Sequence, residues 1–260
     1  MDEQTRAIEW LTPLGFIACA AWAIWNGPGY IIAFSSDGSP LSDLYPSATA
    51  LDFLFLFGAI AMLVIGIATV RPAKMELQDL RGIDRLSLFV GRVTMMLIGL
   101  VVLVMLYEVL MRYVFENGTL WANELSLWMA GFVFLLSGSY AMQQRCHIRI
   151  HLLYDVLPRW GKKTCDVIST ALIVLFAFML FYGAYGEAIA KFLRWEKFGT
   201  AFDPPIPATV KPLILFGVIL VATQAVSNLI ADWNKEAEYH DPDEIDEEEI
   251  EMLRKTLGTE

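Results

Sequence analysis

The sequence predicts an all-α integral membrane protein of about six transmembrane helices, and three observations carry that expectation. Hydrophobic residues make up 56% of the 260 and charged ones 18%, with a mean hydropathy of +0.50, outside the usual range of soluble domains. Apolar runs recur that can cross a hydrocarbon core of ~30 Å, which takes about 20 helical residues if no backbone polar group is to be left in lipid. Lys and Arg fall mainly on alternate loops, as the positive-inside rule demands.

In chain order the spans are Trp10 to Phe34, Leu51 to Val70, Leu88 to Met111, Ala122 to Met142, Cys165 to Ala190 and Pro212 to Ala231. The first follows Met1, Asp2 and Glu3 with only Arg6 basic, so it lacks the cationic start of a secretory signal and is expected to stay in the mature protein. It is also the least regular. Gly27, Pro28 and Gly29 break a helix and are expected to end it at Asn26; without this span five remain. The third carries Arg92 one turn inside, where a long side chain can reach the headgroups. The fourth and fifth hold small residues, Ser137, Gly138, Ser139 and Ala141 in one and Gly183, Ala184, Gly186 and Ala188 in the other, which let helices approach closely. Before the sixth, the run Asp203-Pro204-Pro205-Ile206-Pro207 is expected to be non-helical. Trp10, Trp121, Trp160, Trp195 and Trp233 lie near span ends as interfacial anchors.

With six spans, one side collects Arg6, Arg71, Lys74, Arg81, Arg85, Arg145, Arg149, Arg159, Lys162, Lys163, Lys235, Arg254 and Lys255, thirteen cations with Arg92 left aside. The other side collects Arg112, Lys191, Arg194, Lys197 and Lys211, and both termini are therefore expected to be cytoplasmic. The net charge of −10 resides mainly in the stretch Trp233 to Glu260, where 11 acidic and 3 basic residues leave −8. Its like charges and scarcity of apolar residues read as a solvated tail.

Charges near the spans are the candidate sites, because hydrocarbon penalises them by ~2.5 to 3.5 kcal/mol on insertion scales. Glu108 and Arg112 stand at i and i+4 and read as a structural ion pair before a transport role. Glu124, one turn after Trp121, suits either a helix N-terminus or a partner contact. After span four, His147, His151, Asp155 and Arg159 form one stripe and Ile148, Leu152, Val156 and Trp160 another, which describes a short amphipathic helix on the membrane surface. The two histidines could serve a metal or redox subunit, but no glutamate lies between them in the metalloprotease arrangement. No cofactor is expected. Cys19, Cys146 and Cys165 are an odd number without metal spacing, and no disulfide framework is expected. Phosphate loops, nucleophile elbows and basic aromatic grooves are absent from the sequence, so neither an enzyme nor a nucleic-acid binder is expected. No pair of broken midplane spans is evident, which argues against transport by this chain alone. A free-standing membrane scaffold is the remaining alternative.

The run Arg112-Tyr113-Val114-Phe115, then Trp121-Ala122-Asn123-Glu124-Leu125, His147-Ile148-Arg149-Ile150 and Leu157-Pro158, resembles the small, Q-type permease subunit of tripartite ATP-independent periplasmic (TRAP) transporters. The resemblance spans roughly Asp84 to Trp233, a four-span core. It implies a non-catalytic subunit in the bacterial inner membrane, partnered by lipid, a large elevator permease and a periplasmic solute-binding protein, in a complex importing organic acids with sodium. Residues 1–83 would form an N-terminal two-span extension with a cytoplasmic linker, 84–233 the core and 234–260 the acidic cytoplasmic tail. Glu108, Arg112, Trp121, Glu124, His147, Asp155 and Pro158 would be partner-contact or structural positions. Two departures stand out: His151 occupies a place often acidic in that family, and the two spans before Asp84 exceed the usual four.

Overall fold

The computed structural model describes residues 3–35, 40–73, 76–78, 80–145 and 158–233. Among these residues the chain forms seven helices and no strand: α1 (Glu3–Trp25), α2 (Gly27–Phe34), α3 (Ala50–Thr69), α4 (Gly82–Tyr113), α5 (Ala122–Gln143), α6 (Arg159–Leu193) and α7 (Ile206–Asp232). All but the short α2 are long and apolar enough to cross a bilayer, which makes this a multi-pass membrane protein of six candidate spans.

Helices α3 and α4 both begin with local capping. At the start of α3, Asp52 accepts from the Thr49 amide at 2.8 Å and from the Thr49 hydroxyl at 2.7 Å; at the start of α4, Asp84 accepts from the Arg81 amide at 2.8 Å. Each aspartate satisfies a donor that the first helical turn would leave orphaned. Helix α1 packs on α3, α4 on α5, α5 on α7 and α6 on α7, while α1 and α3 join the core through α4. At that junction Leu88, Phe89 and Val93 form a buried cluster against Phe16, Leu63 and Ile67. Phe89 lies so close to Gly66 that any Cβ there would overlap its ring, so α3 and α4 approach only because residue 66 has no side chain.

Contacts at the helix ends place several segments on one side. Arg71 after α3 faces Glu9 of α1 at 4.0 Å, Arg92 of α4 meets Glu76, and Arg145 after α5 clasps Asp232 of α7. This is the side of the described chain ends, the start of α1 and the end of α7; the opposite face holds the loops after α2, α4 and α6.

Two sequence expectations are corrected. The helix does not wait for Pro212 but starts at Ile206, with a proline in its first two positions, where a missing N–H costs nothing. Ile206 and Pro207 are therefore helical, and Pro212 lies inside α7. Arg92, one turn inside α4, donates to Glu76 at 2.6 Å and to the Arg71 carbonyl at 3.3 Å, both in the loop before the helix, with 25% of its side chain exposed. The first span does stop where glycine and proline predict, at Trp25, but the chain resumes at once as α2. Pro158 is the N-cap of α6, and Arg159 and Trp160 open that helix. Cys146, His147, His151 and Asp155, most of the proposed amphipathic segment, and the acidic tail beyond Trp233 lie outside the described residues.

Candidate partner-contact site

The far side is organised by two carboxylates. Glu108, in the last turns of α4, is 3% exposed. One oxygen accepts from Arg112 Nε at 2.9 Å and also from its terminal nitrogen; the other accepts from the Thr119 amide at 2.9 Å and from the Thr119 hydroxyl. The pair expected from the i, i+4 spacing therefore exists, and it does more than neutralise itself: it pins the loop between α4 and α5. Trp121, which ends that loop as the N-cap of α5, stacks on Tyr107 of α4 with ring centroids 5.7 Å apart.

Glu124 reaches across to the α6–α7 loop rather than to its own helix end. Its carboxylate accepts from the Thr200 hydroxyl at 2.5 Å and from the Asp203 amide at 3.2 Å. Asp203, at φ +56°, turns back to accept from the Gly199 amide at 2.8 Å and lies 3.5 Å from Lys197. Lys197 also sits 5.7 Å over the Tyr45 ring. Its hydrogen bond to Tyr45, reinforced by the charge of Asp203, holds the ammonium pKa above the usual lysine value. In α2 the Tyr30 hydroxyl donates to the Asp52 carbonyl at 2.5 Å, and its pKa is pushed up by burial and by the Asp52 charge.

The same loop carries Trp195, 6% exposed, at positive φ. Its ring lies directly against Gly27, where any Cβ would overlap it, and is surrounded by Leu41, Ala208, Ile31, Ile32 and Phe192. Trp25 stacks on Phe202 at 5.9 Å. The glycine-proline-glycine break is thus a seat for the indole that the α6–α7 loop supplies.

On the side of the chain ends a buried polar chain ties α4, α5 and α7 together. Gln224 donates to Asp84 at 2.6 Å and to Asn228 at 3.0 Å, and accepts from Ser87 at 2.9 Å; Ser87 and Ser139 share a 2.8 Å hydrogen bond; Asn228 donates to the Met142 carbonyl at 2.6 Å. Arg145 and Asp232 close it with two bonds of 2.7 and 2.8 Å. Glu76, before α4, accepts from Arg92 and from the Tyr140 hydroxyl, the latter at 2.7 Å.

Of the seven candidate positions, the structure brings Glu108, Arg112, Trp121 and Glu124 to one face, places Pro158 at the opposite end as the cap of α6, and leaves His147 and Asp155 undescribed. Sequence reasoning missed Gln224 and Asn228, although two amides at i and i+4 in an apolar span are a visible signal. It also missed the Trp195 seat, for which the sequence offers only the helix break. These arrangements consist of satisfied donors and acceptors; they can fix loops and present a surface. Among the described residues no cluster of three or more His, Cys, Asp or Glu could hold a metal.

Helix α6 is the edge of the bundle. It packs on α7 but leaves Phe176, Met179 and Tyr182 exposed, and nothing lies within 4 Å of where a side chain at Gly183 or Gly186 would begin. The small residues of α5, by contrast, are spent on packing: Ser139 is fully buried and Gly138 meets Val221 of α7.

Residues 101–235, from within α4 to just beyond α7, match the family model described as "Tripartite ATP-independent periplasmic transporters, DctQ component". Over 87 residues the chain is 26% identical to the C4-dicarboxylate TRAP transporter small permease protein DctQ of Vibrio cholerae, a stretch covering 34% of this chain and 38% of that protein. No solved structure matches the chain.

Proposed function

Because the chain belongs to the DctQ component family of tripartite ATP-independent periplasmic transporters, and so is a TRAP small permease subunit, we propose that it scaffolds a large elevator permease and helps dock a periplasmic binding protein during sodium-coupled import of organic acids. The observation that carries the reading is the family match over the span-forming core. The polar chemistry supports it: Glu108 with Arg112, Arg145 with Asp232, and Glu124 hold helix ends and loops, as suits a stationary partner to a moving permease.

In this reading the protein sits in the bacterial inner membrane with both termini cytoplasmic, which the distribution of Lys and Arg supports. The far side is then periplasmic, and the loop pinned by Glu124 is the surface offered to the binding protein. Helix α6, with its open small residues and exposed aromatics, faces the large permease. Residues 1–83 are an extension seated on a core of 84–233, with 234–260 a cytoplasmic tail. Glu108, Arg112, Trp121 and Glu124 shape the docking face; Pro158 sets the start of α6, and His147 and Asp155 belong to a segment meeting lipid or the large subunit at the cytoplasmic surface.

The test is a mild-detergent pull-down from the native membrane with mass spectrometry of what accompanies the chain. A larger multi-span permease in stoichiometric yield is expected; recovery of the chain only as a homo-oligomer would overturn the reading. Glu124→Ala and Arg112→Ala are expected to lower complex yield and uptake together, and unchanged values in both variants would remove these residues from the docking face.

A further inference from the structure

Between the extension and the core lies a cleft of about 770 Å³. Its floor is α4 from Leu86 to Leu100, a length of about 21 Å at the helical rise, and α1 and α5 form its walls. All the side chains lining it are apolar or tryptophan. Two of the three indole N–H groups among them are already engaged, Trp22 with Asp52 at 3.0 Å and Trp128 with Thr209 at 2.8 Å. A polar ligand would find almost no partner there. At the far end the Trp25–Phe202 stack contributes both its rings to the wall.

We propose that this cleft holds an acyl chain of an anionic phospholipid from the leaflet on the side of the chain ends. A void of this size in hydrocarbon would forfeit the dispersion contacts of its whole lining, and apolar cavities do not attract water. Counting a methylene as roughly the size of a water, ~30 Å³, the cleft takes on the order of 25 of them, which accommodates a fatty-acyl chain.

Charge supplies the headgroup. Arg85, one residue before the Leu86 end of the cleft, lines with Arg71 a smaller pocket of about 260 Å³ at the ends of α1, α3 and α4. The acid lining that pocket is Glu9, 4.0 Å from Arg71, whose side chain is 59% exposed. Two arginines against one carboxylate at headgroup depth favour a phosphate with net negative charge.

The experiment reconstitutes the full chain, with the subunits that accompany it, into phosphatidylethanolamine vesicles doped with phosphatidylglycerol bearing a diazirine on its acyl chain. After irradiation, adducts are mapped by peptide mass spectrometry. Lipid in the cleft is expected to label Leu97, Met129 and Phe132, partly buried residues of its lining on α4 and α5. Arg71→Ala and Arg85→Ala are each expected to lower that labelling about fivefold, the equivalent of ~1 kcal/mol per basic residue near a membrane surface. Adducts confined to perimeter residues such as Phe57 and Met179 would overturn the proposal. Equal labelling by a diazirine phosphatidylcholine would overturn the choice of an anionic headgroup.

Discussion

Replacing Gly27 by alanine tests whether α2 is keyed to the α6–α7 loop through Trp195. The added methyl overlaps the Trp195 ring, which is 6% exposed and enclosed by Leu41, Ala208 and Phe192, so the indole cannot slide aside without opening its surroundings. Overpacking of this kind costs about 1–3 kcal/mol, or roughly 2–12 °C in melting temperature for a chain of this size. Trp195→Ala empties the seat and costs about 3–5 kcal/mol. With the indole gone, a methyl at residue 27 has room, so the double variant should be no less stable than Trp195→Ala alone. The two effects fail to add by about 1–3 kcal/mol. Size-exclusion melts of the detergent-solubilised protein, run at a single heating rate because membrane proteins rarely refold, give apparent values that rank the variants. A Gly27→Ala protein as stable as the wild type, or a double variant equal to the sum of the singles, would refute the seat.

Arg112→Ala leaves the Glu108 carboxylate buried with only Thr119 as partner and is expected to cost about 1–3 kcal/mol; adding Glu108→Gln should regain part of it in the same melts, and a further loss would count against the ion pair. Gln224→Leu strips partners from Asp84, Ser87 and Asn228 at once and should cost about 2–3 kcal/mol, read as a fall in monodisperse yield. Lys197 has a pKa raised above 10.5 by Tyr45 and Asp203, so its contribution to the α6–α7 loop is fully present below 10.5 and is lost as pH rises through the higher folded value. Limited proteolysis at residues 197–203 should therefore stay slow to about pH 10 and accelerate only beyond it; acceleration near neutrality would assign the loop to another group.

The spans were legible because lipid leaves a helix little choice: apolar length and the placement of Lys and Arg locate all six. Their ends were less so. Hydropathy stops at the last apolar residue, whereas α4 continues outward through Asp84 and Arg112 because each finds a partner. Spacing along one helix revealed Glu108 with Arg112. It could not reveal Glu124 with Thr200 or Trp195 with Gly27, whose partners lie 76 and 168 positions away and meet only through the packing of separate elements. The proline run before α7 misled for a different reason: proline forbids a helix interior but suits its first turn, and the sequence does not say which applies.

The buried chain from Asp84 through Ser87 and Ser139 to Gln224 sets a timetable for biogenesis. Asp84 and Gln224 are 140 residues apart, so at ~5–20 residues per second α4 and α5 wait on the order of ten seconds at the ribosome for the final span. Until then a carboxylate and two hydroxyls at the end of the bundle lack the amide that joins them, and hydrocarbon would penalise any exposure of them. Nascent chains ending before α7 should consequently stay beside the insertion machinery or be handed to membrane proteases, making α7 the quality checkpoint for α4 and α5.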